Sequence, residues 1–220
     1  ELRTKLKTQG FRIKEHRLHL NYGFDSTFEQ VNSKAWDTLV RSNITREKTR
    51  GQYMDGSDYL RGGLWTQIEW VYHQVSLRLG SRVNGVQARS PDDQKSETQE
   101  IKRRWLGHTL ALGLTWGLLP SWSILSNIEE GYAAPNLDDL TARQLTGQGY
   151  QIENPNLDAE SSISVELGTQ FKSSWNMFTQ RFALKLELWG FVQELKQGIE
   201  RRDAVCPSTE RSCVAARIST

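Results

Sequence analysis

The sequence predicts an all-β chain, an antiparallel transmembrane β-barrel of the outer membrane, of which these residues supply about seven to eight strands of a larger whole. Three observations point there. Apolar and polar residues alternate over successive stretches, the connections between stretches are short and long in turn, and aromatic residues gather at the short connections.

The alternation begins at Arg17–Asp25, where Leu18, Leu20, Tyr22 and Phe24 share one face against His19, Asn21, Gly23 and Asp25. From Leu64 to Tyr72 the apolar face is Leu64, Ile68, Trp70 and Tyr72, against Gln67 and Glu69. From Val75 to Asn84 it is Val75, Leu77, Leu79 and Val83, against Ser76, Arg78, Arg82 and Asn84. Between Leu106 and Leu118 the apolar line Leu106, Leu110, Leu112, Leu114, Trp116, Leu118 alternates with Gly107, Thr109, Ala111, Gly113, Thr115 and Gly117. A helix would scatter such residues over opposing faces, so each stretch reads as a strand. Trp122–Ile128 follows with a weaker pattern, since Leu125 falls on the polar side, and Ile163–Phe171 and Phe182–Val192 complete the seven. An eighth strand is expected after Val214. Spanning the apolar layer takes about 9–11 tilted residues, and most of these stretches reach or approach that length.

His73-Gln74, Leu119-Pro120-Ser121 and a turn near Lys172–Gln180 are short connections. Ser26–Asp58, Ser90–Arg104, Gly131–Ser161 and Ile199–Val214 are long and polar, and read as loops. Short periplasmic turns facing long extracellular loops are the habit of outer-membrane barrels, whereas a soluble sandwich has no reason to sort its loops. Trp70, Tyr72, Trp116, Trp122 and Trp175 lie beside or within the three short turns. They are expected at one level, as an aromatic girdle at the membrane–water boundary. Glu69, Arg78, Arg82, Glu166, Lys185 and Glu187 sit opposite the Leu and Val lines and are expected to face the lumen. A Lys or Arg facing lipid at the midplane would cost about 2–4 kcal/mol.

Composition narrows the function. Over 220 residues the net charge is +2 with Lys and Arg spread throughout, which leaves no concentrated footprint for nucleic acid. Mean hydropathy is −0.61, and no window approaches the ~18 apolar residues of a membrane helix, a limit that does not bear on spanning strands. The start, Glu1-Leu2-Arg3-Thr4, has no signal-peptide pattern, so the barrel reading implies a piece of a longer precursor.

The residue chemistry points away from catalysis and from a bound metal. His16 and His19 face opposite sides of one strand, His73 sits in a turn, and His108 is isolated on an apolar face. Asp138 and Asp139 are explained by a helix N-terminus. No nucleophile elbow, phosphate loop or Cys-x-x-Cys pattern occurs, so no enzymatic activity and no cofactor are expected. Cys206 and Cys213, with six residues between them, suit a small disulfide-closed loop worth about 2–3 kcal/mol. Two free thiols are the alternative, and an extracytoplasmic setting favours the bond.

The stretch Asn127-Ile128-Glu129-Glu130-Gly131-Tyr132-Ala133-Ala134-Pro135-Asn136-Leu137-Asp138-Asp139-Leu140 is followed, after a polar spacer, by Asn154-Pro155-Asn156-Leu157-Asp158-Ala159-Glu160-Ser161 and by Glu166-Leu167-Gly168. This pair resembles the signature of TonB-dependent outer-membrane receptors: a Gly-aromatic-x-x-Pro-x-Leu turn, a short acidic helix, and an Asn-Pro-x-Leu-x-x-Glu-Ser entry to the next strand. Met54-Asp55-Gly56-Ser57 leading into Gly62–Trp70 resembles the loop-to-strand entry of the same barrels. The resemblance covers roughly Met54 to Arg201 and implies the C-terminal part of such a barrel, with no plug domain in these residues. It further implies active uptake of a scarce nutrient, such as a ferric siderophore or cobalamin, at the extracellular loops of a Gram-negative cell. Contact with outer-membrane lipid is implied, and coupling to the TonB complex through the missing plug region. A passive outer-membrane channel, or a soluble or surface β-sheet binding module, are the other readings of the same strands.

Overall fold

The computed structural model describes the chain apart from residues 1, 8–9, 49, 148, 178–179, 209–212, 214–215 and 220. In chain order its elements are β1 (Leu2–Lys7), β2 (Phe11–Ile13), β3 (His16–Val31), β4 (Trp36–Leu39), β5 (Ile44–Glu47), β6 (Ser57–Tyr72) and β7 (Val75–Ser90). Next come β8 (Ile101–Leu119), β9 (Trp122–Ala133), α1 (Leu137–Thr141), β10 (Gln144–Thr146) and β11 (Gly149–Ile152). The chain continues through β12 (Glu160–Met177), β13 (Gln180–Lys196), β14 (Arg201–Ala204) and β15 (Ala216–Ser219).

Seven long strands form one antiparallel sheet in chain order, β3-β6-β7-β8-β9-β12-β13, with β1 and β2 paired to β3. Small sheets β4-β5 and β10-β11-β15-β14 lie outside it. The expected strand after Val214 is corrected here: Ala216–Ser219 pairs parallel to β11 in the loop sheet, and the eighth member of the large sheet is β1, at the other end of the chain. Alternation could not reveal this, because four residues hold too few periods.

The strands outrun the stretches read from alternation. β3, β6 and β7 have 16 residues each, β8 has 19 and β12 has 18. They extend into what read as loop at Ser26–Asp58, Ser90–Arg104, Gly131–Ser161 and Lys172–Gln180. Ladder hydrogen bonds need only backbone, so strands continue after the alternating line turns polar, as it does at Asp58, Gln87, Arg89, Lys102 and Arg104.

Register fixes two faces. One carries the rows Leu18–Trp70–Leu77–Leu114 and Leu20–Ile68–Leu79–Leu112–Ile128. The other carries His19–Glu69–Arg78–Gly113–Asn127 and Gly23–Trp65–Arg82–Thr109. The apolar face is uncovered along its length: Leu64 is 68 %, Leu188 72 % and Leu106 80 % exposed. Water does not tolerate so large a contiguous apolar surface on a monomer.

Among the described residues the buried core lies at the loop end of the polar face. There Tyr59, Ala88, Ile101 and Trp105 pack against Leu137 and Leu140 of α1 and against Leu157. The loop after β9 therefore folds back over the sheet. β8 and β9 stay paired only from Leu119/Trp122 to Ala111/Glu129, and beyond that the Glu130 carboxylate accepts the Leu110 N–H at 3.0 Å.

Candidate functional site

At the loop end, three connections meet: the β3–β6, β7–β8 and β9–β12 loops. α1 supplies the scaffold. Asn136 caps it by accepting the Asp139 N–H at 3.0 Å, and the Asp139 carboxylate accepts the Asn136 N–H at 3.2 Å, a capping box that fixes both donors. Leu137 and Leu140 face inward, which seats the helix on the sheet.

Behind α1 lies a buried charge cluster. Arg143 makes a two-pronged pair with Glu153, Nε to Oε2 at 2.6 Å and Nη2 to Oε1 at 2.7 Å, and donates from Nη1 to the Ser96 carbonyl at 2.6 Å. Arg50 lies 3.6 Å from the same carboxylate, donates to the Thr98 hydroxyl at 2.9 Å, and also donates to the Thr141 carbonyl. The Arg143 N–H donates to the Gln52 carbonyl at 2.8 Å, and the Tyr53 hydroxyl donates to Asp138 at 3.1 Å. One residue set thus ties all three loops into a cap.

The β7–β8 turn is held locally. Ser96 is fully buried, and its hydroxyl donates to the Asp93 carboxylate at 2.7 Å while the Lys95 N–H reaches it at 3.1 Å. The Ser96 hydrogen bond, against the cost of burial, holds the Asp93 carboxyl below the usual aspartate range. Folding then favours its charged form, so this contribution is complete above the ordinary aspartate pKa and is lost as pH falls through the lowered value. Burial pushes Asp139 the other way, and its contribution grows as pH falls. Amide exchange at residues 93–98, corrected for its intrinsic pH dependence, is expected to accelerate in acid. Asp93→Asn is expected to exchange faster at neutral pH and to lose most of that dependence; an unchanged profile would refute the assignment.

Beside the cap, a cavity of about 420 Å³ opens on the polar face, lined by Asp25, Tyr59, Arg82, Asn84 and Tyr132 among others. Arg82 pairs with Asp25 through two hydrogen bonds of 2.8 Å and also donates to Asn84. Tyr59 donates to the Pro135 carbonyl at 3.2 Å. The buried Tyr132 hydroxyl and Trp105 Nε1 have no hydrogen-bond partner among the described residues. Among those residues no group of three or more His, Cys, Asp or Glu side chains could hold a metal ion.

Of the six residues expected from sequence to face the lumen, only Arg82 lines this cavity. Arg78 and Glu69 are cross-strand partners 3.7 Å apart, nearer the turns. Glu166 accepts from Asn127 at 3.2 Å, and Lys185 lies 2.8 Å from Glu187, which accepts from Gln170. All six share the polar face. Trp70, Tyr72, Trp116, Trp122 and Trp175 share the other face, in the rows nearest the turns. His16 stacks on Tyr72 at 4.5 Å and accepts from Trp70 at 3.2 Å, joining that row. Cys206 and Cys213 are bonded, with Cα atoms 5.8 Å apart.

The family model described as TonB dependent receptor-like, beta-barrel, matches residues 2–190. The chain belongs to that family. It is a β-barrel chain of the outer membrane. It is 30 % identical over 200 residues to the iron-regulated outer membrane virulence protein of Vibrio cholerae serotype O1, in both the classical Ogawa 395 and El Tor Inaba N16961 strains. That alignment covers 89 % of this chain and 25 % of each relative, so the chain spans a quarter of their length. The fold also matches a double mutant of the Serratia marcescens hemophore receptor HasR, solved with its hemophore HasA and heme, at a TM-score of 0.77 and 12 % identity. That match covers 99 % of this chain and 36 % of HasR.

The signature residues of the receptor barrel thereby gain structural roles. Leu137 and Leu157 enter the core, and the Asn154 N–H donates to the Asp139 carbonyl at 3.2 Å. Glu160 accepts the Ile199 N–H at 2.5 Å, tying the β12 entry to the segment after β13 rather than to its own loop. Arg50, Arg143 and Glu153 were not legible as a site. Each stands alone in a polar stretch, and only the folded loops bring them together.

Proposed function

We propose that the chain forms part of the barrel wall and outer cap of a TonB-dependent receptor importing a scarce nutrient, such as a ferric siderophore or cobalamin. In this reading the polar face lines the lumen and the apolar face meets lipid, with Trp70, Tyr72, Trp116, Trp122 and Trp175 at the periplasmic boundary. The loops are then extracellular. The sheet edges at β1 and β13 pair with further strands of a larger barrel, since hydrocarbon leaves unpaired backbone groups unsatisfied. The plug and the segment that touches TonB belong to the rest of the receptor. No enzymatic step is assigned to any residue.

The observation that carries this reading is the family match over residues 2–190. The loop cap supports it, because a cap held by buried ion pairs over the polar face presents a fixed outer surface to a ligand. The name of the Vibrio relatives, iron-regulated, favours the iron-bearing ligand. The test is uptake of labelled ferric siderophores and cobalamin by iron-starved cells, with and without the receptor gene, in strains with and without TonB. Receptor-dependent uptake that disappears without TonB is the expected result. Receptor-dependent passage that persists without TonB would make the protein a passive channel.

A further inference from the structure

Charge is unevenly shared along the polar face. Register places Arg3 opposite Asp25, Lys5 opposite Gly23 and Arg12 opposite Arg17, all on that face. Lys7 holds the intervening position, opposite Asn21. On β7 the same side carries Arg78, opposite Glu69, and Arg82, opposite Trp65. Basic positions thus form a column along β1, β2, β3 and β7, from the cavity beside the cap to the turn end. β8 and β9 differ: their polar face carries Thr109, Ala111, Gly113 and Asn127 with the carboxylate of Glu129, and Glu166 follows on β12.

The column starts in the 420 Å³ cavity, which Arg3, Arg61 and Arg82 line. From Asp25 down to Arg17, β3 runs about 27 Å. Alternate residues of one strand face lie about 7 Å apart, inside the ~8 Å screening length of physiological salt, so attraction for an anion does not lapse between rows. Acids temper the upper rows: Asp25 holds Arg82 through two 2.8 Å bonds, and Glu69 lies 3.7 Å from Arg78. The turn end is different. Arg12 and Arg17 stand directly opposite each other, an arrangement that repels. Glu15 of the same hairpin pairs with His73 at 2.6 Å, and Arg12 Nε donates to the Lys14 carbonyl at 3.4 Å. A second opposed pair of like charges, Lys172 and Lys185, has Glu187 2.8 Å from Lys185 to offset it. A domain docked on the wall needs one matching patch, whereas a basic line reaching both ends of the wall suits an anion in transit.

We propose that this column is a conduction track: the imported nutrient is a chelate of net negative charge that passes down the β1–β3–β7 side of the lumen and leaves past Arg12 and Arg17. Passage requires sites that attract without trapping. The carboxylates on Arg82 and Arg78 keep those stations weak, and the repelling pair at the turn end gains most from an anion and draws it onward. The track rests on the lumen assignment of the transport reading and adds to it the side of the wall and the charge of the cargo.

Iron-starved cells making the intact receptor are given a labelled anionic ferric tris-catecholate, a neutral ferric tris-hydroxamate, or cobalamin. Receptor-dependent uptake of the anionic chelate is expected, and Arg12→Gln with Arg17→Gln is expected to slow it about tenfold. Surface binding in de-energised cells should not change, since both positions lie at the turn end, away from the loops. Lys172→Gln, near the turns on β12, is expected to import at the wild-type rate. In planar bilayers the purified intact receptor, its plug loosened by urea, is expected to pass chloride in preference to potassium, and the arginine double variant to lose that preference. Uptake of only the neutral chelate or cobalamin overturns the proposal. So does wild-type uptake by the arginine double variant, equal slowing in Lys172→Gln, or a channel without anion preference. Weakened surface binding in the double variant would also overturn it, by placing the arginines in capture. A receptor that imports no probe yet passes chloride selectively would count against the transport reading and keep the anion track.

Discussion

Glu153→Ala is expected to release the loop cap while the long strands stay paired. Glu153 is a carboxylate that both Arg143 and Arg50 approach, and the side chains of Glu153, Arg143 and Arg50 are 10 %, 4 % and 2 % exposed. Truncating it takes this shared counter-charge from two buried guanidiniums. Breaking such a cluster from one side costs about 3–5 kcal/mol, because the partners keep their desolvation penalty and lose the attraction that offset it. The cap has little to set against that loss: its apolar core is α1, Leu157 and a few side chains of the sheet end. The long strands share none of these contacts nearer the turns, so the damage is local. Amide exchange and limited proteolysis of the intact receptor are the measurements. Residues 91–100 and 137–153 should lose protection, and the strands between the turns and the cap should keep it. Glu153→Gln, which keeps the shape and an acceptor, should fall between. A cap that stays protected in Glu153→Ala would mean that α1 and its capping box hold it alone.

The contrast between strands and cap explains what was legible in the sequence. Leu106–Leu118 declares itself because lipid-facing and polar positions alternate along one strand, and every cycle repeats the signal. The strand tops at Arg89 and Lys102 were not legible, since their outward residues are charged and the alternation dissolves just where the backbone pairing goes on. The Ser90–Arg104 stretch read as a solvent loop, yet Ser96 within it is fully buried under the cap. Polar composition does not distinguish a side chain in water from one in a satisfied internal network. The family signature fared better because Pro135, Leu137, Asn154 and Leu157 act locally, through turn geometry and a short amphipathic helix. The Arg50–Arg143–Glu153 cluster joins positions up to 103 residues apart (153 − 50), and no local pattern encodes that meeting. Asp25 and Arg82 share this limit: each was visible on a polar strand face, but their pairing depends on a register set across β6.

Leu112→Arg is expected to impair barrel folding severely, and Ala111→Arg is not, although the two positions are neighbours in β8. Leu112 lies opposite Leu79 and Ile128, midway along the apolar row that runs from Leu106 to Trp116. An arginine there faces hydrocarbon near the midplane, at about 2–4 kcal/mol. Ala111 points to the other face, with Gly80 on one side and Glu129 on the other. Gly80 leaves room for the longer chain, and Glu129 offers a counter-charge. Two adjacent residues therefore carry opposite predictions that differ only in which face meets lipid. The intact receptor should show a lower folded yield in outer membranes and a lower urea midpoint for Leu112→Arg, with Ala111→Arg near wild type. If both substitutions are tolerated, the face bearing Leu112 does not meet hydrocarbon in the membrane. If Ala111→Arg is the damaging one, the lumen is packed against that strand by a plug or loop leaving no space for the side chain, and Gly80 is then the position where that contact should be sought.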